Sequence, residues 1–191
     1  DVISSGNDID VVFGDDGNDF IINSSEFLSG FGGSGDDFIL DGIMLGHIRG
    51  GRGNDWMENL GGGEDLFQGD LGVIPEEGEA TIKGHDIIIS HDGNLDGDME
   101  GGDDIYVDGP GIDRVEGQLG FDWVSFQNNE EGVHVDLDFT IFNRPIVPSS
   151  NSTTLNRYDR VEGISGSSQG DILIGTENKL GTSIGNELIT E

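Results

Sequence analysis

Apolar and polar residues follow one another along this chain on a nine-residue cycle. Cut from Ser5, the blocks read SGNDIDVVF, GDDGNDFII, NSSEFLSGF, GGSGDDFIL, DGIMLGHIR and GGRGNDWME. Position 6 carries Asp10, Asp19, Asp37 and Asp55, and Asp1 falls on the same position one block earlier. Position 8 carries Ile3, Val12, Ile21, Ile39, Ile48 and Met57, with Gly30 the exception. NLGGGEDLFQ follows as a ten-residue block, with Asp65 and Phe67 in the matching places, and 69–80 breaks the cycle and reads as a loop. The cycle returns at Thr81 as TIKGHDIII, SHDGNLDGD, MEGGDDIYV, DGPGIDRVE, GQLGFDWVS and FQNNEEGVH. Position 6 now carries Asp86, Asp104, Asp113, Asp122 and Glu131, and position 8 Ile88, Tyr106, Val115, Val124 and Val133. Positions 1–6 read as a turn, where glycine reaches backbone angles closed to other residues. Positions 7–9 read as a short strand whose middle residue faces a core, because side chains alternate across a strand. One such block cannot bury its apolar face alone, whereas several stacked blocks can.

Composition sharpens this reading. The 191 residues hold 39 Asp+Glu against 8 Lys+Arg, a formal net charge of −31. Nucleic acid and anionic membrane surfaces are poor partners for such a chain. No apolar run approaches the ~20 residues of a membrane span, so no membrane insertion is expected. No signal peptide is visible. Without cysteine there is no disulfide, thiol catalysis or Cys-based zinc site. Only 33% of residues are hydrophobic, and low hydrophobicity with high charge also marks disordered acidic chains. A random Gly/Asp-rich linker, however, does not place an apolar residue at each eighth position. The remaining reading is a fold that neutralises its own carboxylates with bound cations.

Successive turns of a two-sided coil alternate between two edges, so turns on one edge lie eighteen residues apart. Asp1, Asp19, Asp37 and Asp55 keep that spacing, as do Asp86, Asp104 and Asp122. Each neighbouring pair brings two carboxylates to one point between stacked turns. Hard oxygen donors in flexible geometry suit Ca²⁺, which takes six to eight oxygens or so. The other edge departs from the rule, since NSSEFL and DGIMLG lack the aspartate and SHDGNL has Leu95 there. Most of that edge is expected to be metal-free, with Asp113 and Glu131 an open case.

GGSGDDFIL and GGRGNDWME fit the rule GGxGxDxUx in their turns, and GDDGNDFII and GQLGFDWVS lack only the second glycine. The chain thus resembles the RTX (repeats-in-toxin) nonapeptide family over most of 1–139 and again over about 158–191. The resemblance implies an all-β fold, a right-handed parallel β-roll with an irregular excursion and a degenerate C-terminal cap. It also implies backbone carbonyl donors beside the aspartates. The carbonyls of Asp15, Gly17, Gly32 and Ser34 would join Asp19 and Asp37, and those of Gly33, Gly35, Gly50 and Arg52 would join Asp37 and Asp55. Ile82, Gly84, Met99 and Gly101 would go with Asp86 and Asp104, and Glu100, Gly102, Gly117 and Leu119 with Asp104 and Asp122.

The organisation reads as a first repeat block at 1–74, a loop at 75–80 and a second block with a longer strand at 81–139. An excursion at 140–157 and degenerate repeats or a cap at 158–191 follow. VHVDLDF alternates as a strand from Val133, and Asp159, Asp171 and Glu187 occupy the key place of the last turns. Positions 7 and 9 of one sheet are unexpectedly apolar: Phe20, Phe38 and Trp56 in the first block, Ile87, Ile105 and Trp123 in the second. A contiguous apolar stripe marks a contact surface. It is expected to be covered by the two blocks packing on each other, by 140–156, or by a partner domain. GPGIDRVEGQLGFDWVSF, VDLDF and RYDRVEGISG look like the RTX-type region beside animal-type haem peroxidase domains in large secreted bacterial proteins.

His47, His85, His91 and His134 are scattered, with no nucleophile motif or phosphate loop beside them. The chain therefore reads as a non-catalytic module, whose partners are calcium ions and the other domains of a longer protein. For the family, calcium-triggered folding outside the cell goes with export by type I secretion machinery. The alternative is an extracellular adhesion or ligand-binding module that uses the aromatic stripe.

Overall fold

The computed structural model describes residues 1–6, 8–23, 28–70, 84–137 and 156–175. Its strands in chain order are β1 (Val2–Ser4), β2 (Asp10–Asp16), β3 (Phe20–Ile22), β4 (Leu28–Ser34), β5 (Phe38–Asp41) and β6 (Gly46–Arg52). They continue as β7 (Trp56–Asn59), β8 (Glu64–Gln68), β9 (Ile87–Ile89), β10 (Asn94–Asp98), β11 (Ile105–Val107) and β12 (Arg114–Glu116). The last are β13 (Trp123–Ser125), β14 (His134–Asp136), β15 (Arg157–Asp159), β16 (Gly163–Ser165) and β17 (Ile172–Ile174). None of the described residues is helical, and no helix among them is long and apolar enough to cross a membrane.

Successive strands alternate between two parallel sheets. One runs β1-β3-β5-β7-β9-β11-β13-β16 and the other β15-β12-β10-β8-β6-β4-β2. The architecture is all-β, repetitive and parallel, of the general β-solenoid kind. Phe20 pairs with Phe38 and Phe38 with Trp56, which is the eighteen-residue step. Trp56 then pairs with Ile87, so the sheet crosses the break in the repeat without interruption. The two repeat blocks are therefore one stack, and their apolar faces lie side by side on one sheet instead of covering each other. Phe20, Trp56, Ile105 and Trp123 remain 38–41% exposed.

The core is the row of middle-of-strand residues. Ile21, Ile39, Met57, Ile88, Tyr106 and Val124 from one sheet are fully buried, as are Ile48, Phe67 and Val115 from the other. Ile3 and Val12, at the first coil, are only partly buried against it. Gly30 and Gly97 stand in the second row, where a side chain is missing. Leu28 and Leu95, two residues earlier, turn in to fill the vacancies. A Cβ on Gly97 would lie 2.9 Å from Tyr106 Cε2 and 3.2 Å from Leu95 Cδ2. A leucine at position 6 and a glycine at position 8 are thus one packing unit. Leu95→Ala is expected to cost about 2–5 kcal/mol through the cavity it leaves. Gly97→Ala is expected to cost about 1–3 kcal/mol through overpacking. Thermal unfolding in calcium checks both.

The C-terminal third departs from the sequence pattern. The alternation after Val133 gives a strand of only three residues, β14, and Leu137 already turns. β14 pairs with β17 in a separate two-stranded sheet, so 126–156 is an insertion between β13 and β15. The expected excursion at 140–157 and the position of Glu187 fall almost wholly outside the described residues.

Candidate functional site

The turns that lead from the second sheet into the first share one edge, and their aspartates form a column. The backbone N–H of Asp19 donates to Asp37 Oδ1 at 2.8 Å, that of Asp37 to Asp55 Oδ1 at 2.8 Å, and that of Asp55 to Asp86 Oδ1 at 2.8 Å. The ladder continues from Asp86 to Asp104 Oδ1 at 2.7 Å and from Asp104 to Asp122 Oδ1 at 3.1 Å. At its start the Asp1 ammonium group donates to Asp19 Oδ1 at 2.5 Å. One oxygen of each carboxylate is thereby fixed. The other, Oδ2 of Asp19, Asp37, Asp55, Asp86, Asp104 and Asp122, is buried with no hydrogen-bond partner. Six such orphans in one file are costly, because a buried acceptor without a donor loses its hydration for nothing.

The orphan oxygens face carbonyls across the gaps between turns. A Cβ on Gly32 would overlap both Asp37 Oδ2 and the Gly50 carbonyl oxygen, and one on Gly14 would overlap Asp19 Oδ2 and the Gly32 carbonyl. Gly69 stands in the same relation to Asp86 Oδ2 and the Met99 carbonyl, and a Cβ on Gly117 would overlap Asp122 Oδ2. At Gly14, Gly32, Gly69 and Gly117 the missing Cβ thus leaves room for an oxygen-lined cradle, whereas the Asp104 turn has the buried Met99 at this position. The carbonyls of Asp15, Gly17, Gly33, Gly35, Gly84 and Gly102 point along the stack at the α-carbons of the next turn. Asp15 and Glu100 hold positive φ (71° and 70°), where Gly33 and Gly51 sit in neighbouring turns. The fold keeps this backbone shape even where the side chain disfavours it. The carbonyls of Ser34, Arg52 and Leu119 each accept one N–H, from Gly17, Gly35 and Gly102, which leaves each a second lone pair. Gly101 bridges to Leu119, and the Glu100 carbonyl accepts the Leu119 N–H. Ile82 lies outside the described residues.

Electrostatics match this geometry. Burial, reinforced by neighbouring carboxylates, pushes Asp55 up to about 7 and Asp86 to about 9. Asp104 and Asp122 are raised for the same two reasons. The column as built holds more negative charge than it can keep ionised without a counter-ion. Among the described residues no three His, Cys, Asp or Glu side chains gather round one point. Each gap instead offers two carboxylates, with further oxygens from the backbone. That donor set is all-oxygen and flexible, and fits Ca²⁺ better than the small rigid octahedron of Mg²⁺ or a nitrogen- and sulfur-seeking metal. Gly32→Ala is expected to fill one cradle; if cations load the gaps, calorimetry should count about one ion fewer, with the remaining gaps unaffected.

The structure adds residues that the sequence reading missed. Gly69 and Asp70 open the turn that Gly84 and Asp86 complete, in the places where the sequence pattern puts Thr81 and Ile82. Asp70 is 4% exposed, its Oδ1 has no partner, and its Oδ2 accepts the Gly84 N–H at 3.4 Å. At the far end, Glu162 Oε2 takes the Asp122 N–H at 3.0 Å, and the Arg160 carbonyl faces Gly117. Glu162, not Asp159, plays the aspartate's part, because this turn is three residues shorter and needs a longer side chain. Asp159 ends β15 on the other sheet. Asp171 Oδ1 does accept a backbone N–H, that of Val133, at 2.9 Å.

The second edge is filled differently. Ser5 Oγ donates to Asn23 Oδ1, Asn23 Nδ2 to Asp41 Oδ1, and Asn59 Nδ2 to Asp65 Oδ2, at 2.9–3.0 Å. The Asp113 N–H goes to Asn156 Oδ1 at 3.1 Å, so Asn156 follows Asp113 in this ladder. His85 and His91 sit at opposite ends of β9, where His85 Nδ1 accepts the Asp103 N–H and His91 Nε2 meets Glu58. Outside the first sheet Phe20 stacks on Phe38 with ring centroids 4.7 Å apart, and Phe38 on Trp56 at 6.3 Å. No protein-family model, curated protein or solved structure matches this chain.

Proposed function

We propose that this chain is a calcium-binding β-roll module of RTX type, part of a larger secreted protein, that folds when it meets extracellular calcium. The observation that carries the reading is the file of buried, partnerless Oδ2 atoms opposite backbone carbonyls along one edge. A cation of charge two in each gap supplies what these oxygens lack. Without it, a net charge of −31 opposes compaction through self-repulsion. The gaps do not exist in the unfolded chain, so binding free energy becomes folding free energy. Extracellular calcium modules bind at about 10⁻⁴–10⁻³ M, far above cytosolic calcium. The chain stays extended inside the cell, which suits passage through a type I secretion channel, and folds outside. There it supports the stability of its parent protein, for which the resemblance points to a haem peroxidase-like domain. The module has no catalytic role of its own.

Far-UV circular dichroism on a chelator-stripped sample, titrated with calcium and separately with magnesium, tests this. A cooperative gain of β signal with calcium alone is expected. A chain fully folded in chelator at neutral pH would falsify the folding switch. The half-exposed Phe20–Phe38–Trp56 stack favours a second reading, an adhesion module whose flat aromatic platform takes sugar rings. A glycan array in calcium, repeated with Trp56→Ser, separates it from the first.

A further inference from the structure

The second edge holds one arrangement that neither the calcium column nor the amide ladder explains. Asp108 and Asp113, in the turn between β11 and β12, are both 0% exposed. Asp108 Oδ1 accepts from Asn156 Nδ2 at 2.9 Å and from the Tyr158 hydroxyl at 2.7 Å, and Oδ2 accepts from Asn129 Nδ2 at 3.0 Å. Asp113 Oδ1 accepts the Leu95 N–H at 3.0 Å, but its Oδ2 has no hydrogen bond of normal geometry, with only the Tyr106 hydroxyl and Ser90 Oγ, likewise buried and unpartnered, beside it. The same columns two coils earlier, beyond the intervening Ser90 and Leu95, show what is missing. Asn59 stands in line with Asp108, Asp65 in line with Asp113, and there the Asn59 amide donates to Asp65 Oδ2 at 2.9 Å. With aspartate in place of asparagine, the amide hydrogen that satisfied the carboxylate is gone.

We propose that Asp108 and Asp113 share one proton in the folded protein, Asp113 donating to Asp108, and so form a metal-independent clasp. The clasp ties down both ends of the inserted segment, since Asn129 lies near its start and Asn156 at its end. A cation fits poorly here. Both Asp108 oxygens already receive amide or hydroxyl hydrogens, and those hydrogens occupy the side from which a metal needs lone pairs. A single proton leaves one negative charge, on the carboxylate that has three donors. The titratable groups facing the pair are Tyr106 from β11 and Tyr158 from β15, both held neutral by burial and by the carboxylates. Burial and the charge of Asp108 raise Asp113 well above the ordinary carboxylate range, which makes Asp113 the member of the pair that holds the proton.

The test is infrared spectroscopy of the folded protein in calcium at neutral pH, with Asp113→Asn and Asp108→Asn beside it. The wild type is expected to show the C=O stretch of a protonated carboxylic acid, and Asp113→Asn to lose it. Asp113→Asn keeps a hydrogen between the two side chains, now an amide hydrogen in place of the shared proton, so its melting midpoint and bound-calcium count are expected to be unchanged or higher. Asp108→Asn turns an amide toward three donors and is expected to melt lower by about 4–8 °C. No protonated-acid band in the wild type, or one calcium fewer in Asp113→Asn, would overturn the clasp. The latter result would make the pair a cation site. These outcomes are separate from the first-edge reading, which stands or falls on the calcium titration.

Discussion

Asp86→Asn is expected to shift stability in opposite directions with and without calcium. Asp86 sits in the middle of the column and is 1% exposed. Its Oδ1 holds the Asp55 N–H, a bond that an amide oxygen can keep. Its Oδ2 faces the Met99 carbonyl beside Gly69, with no donor. In the calcium-free chain an amide nitrogen there gives that carbonyl a hydrogen bond and spares folding the proton uptake that burial imposes on Asp86, a gain of about 1–3 kcal/mol. In calcium the same change removes a charged ligand that serves the gaps on both sides. Each 1.4 kcal/mol or so of lost binding raises the calcium midpoint about tenfold. Urea unfolding in mildly acidic chelator reads the first effect and calcium titration at neutral pH the second. If Asp86→Asn is destabilised in both conditions, the column is an ordinary hydrogen-bonded ladder and needs no metal.

The calcium-free chain is also expected to become more stable as pH falls. Three carboxylates in the column are raised in the folded state, Asp37 to about 6, Asp55 to about 7 and Asp86 to about 9, chiefly by burial. In the unfolded chain they return to about 4. Between those values the unfolded state has released protons that the folded state keeps, so each group lowers stability as pH rises toward its folded pKa. Below about pH 4 both states are protonated and this penalty disappears; above about pH 9 it is complete. In chelator, β signal should therefore be lost on going from acid to alkaline solution. In calcium the slope reverses, because protons compete with the ion for the same oxygens. Circular dichroism across this range, with and without calcium, reads both slopes. Parallel pH profiles in the two series would sink the assignment.

Much of this architecture could be read from residue order because each nine-residue block repeats one physical rule. Asp19, Asp37 and Asp55 announce the column by spacing alone, and Ile21, Ile39 and Met57 announce the core row beside it. The rule was obscured where the chain satisfies it by other means. Gly69 and Asp70 open a turn that closes only at Gly84, and a pattern read in fixed steps cannot bridge a segment inserted inside one step. Glu162 completes the column from a shortened turn, where side-chain length compensates for missing backbone. Leu28 and Leu95 looked like missing ligands, yet they are core residues that fill the space above Gly30 and Gly97. The Asp108–Asp113 pair depends on Asn129, Asn156 and Tyr158, which come together only through the long return of the chain, and no local pattern encodes that meeting.

The unequal spacing of the column has a mechanical consequence. In a stack where each coil touches mainly its neighbours, tension applied to the two ends peels coils off singly. An eighteen-residue coil releases about 60 Å of contour at full extension. Between Asp55 and Asp86 the interval is 31 residues, and between Asp122 and Glu162 it is 40. Those two events should lengthen the chain by about 100 Å and 135 Å. A force–extension trace in calcium should thus be a near-regular sawtooth with two long teeth, and their order would report which end of the stack yields first.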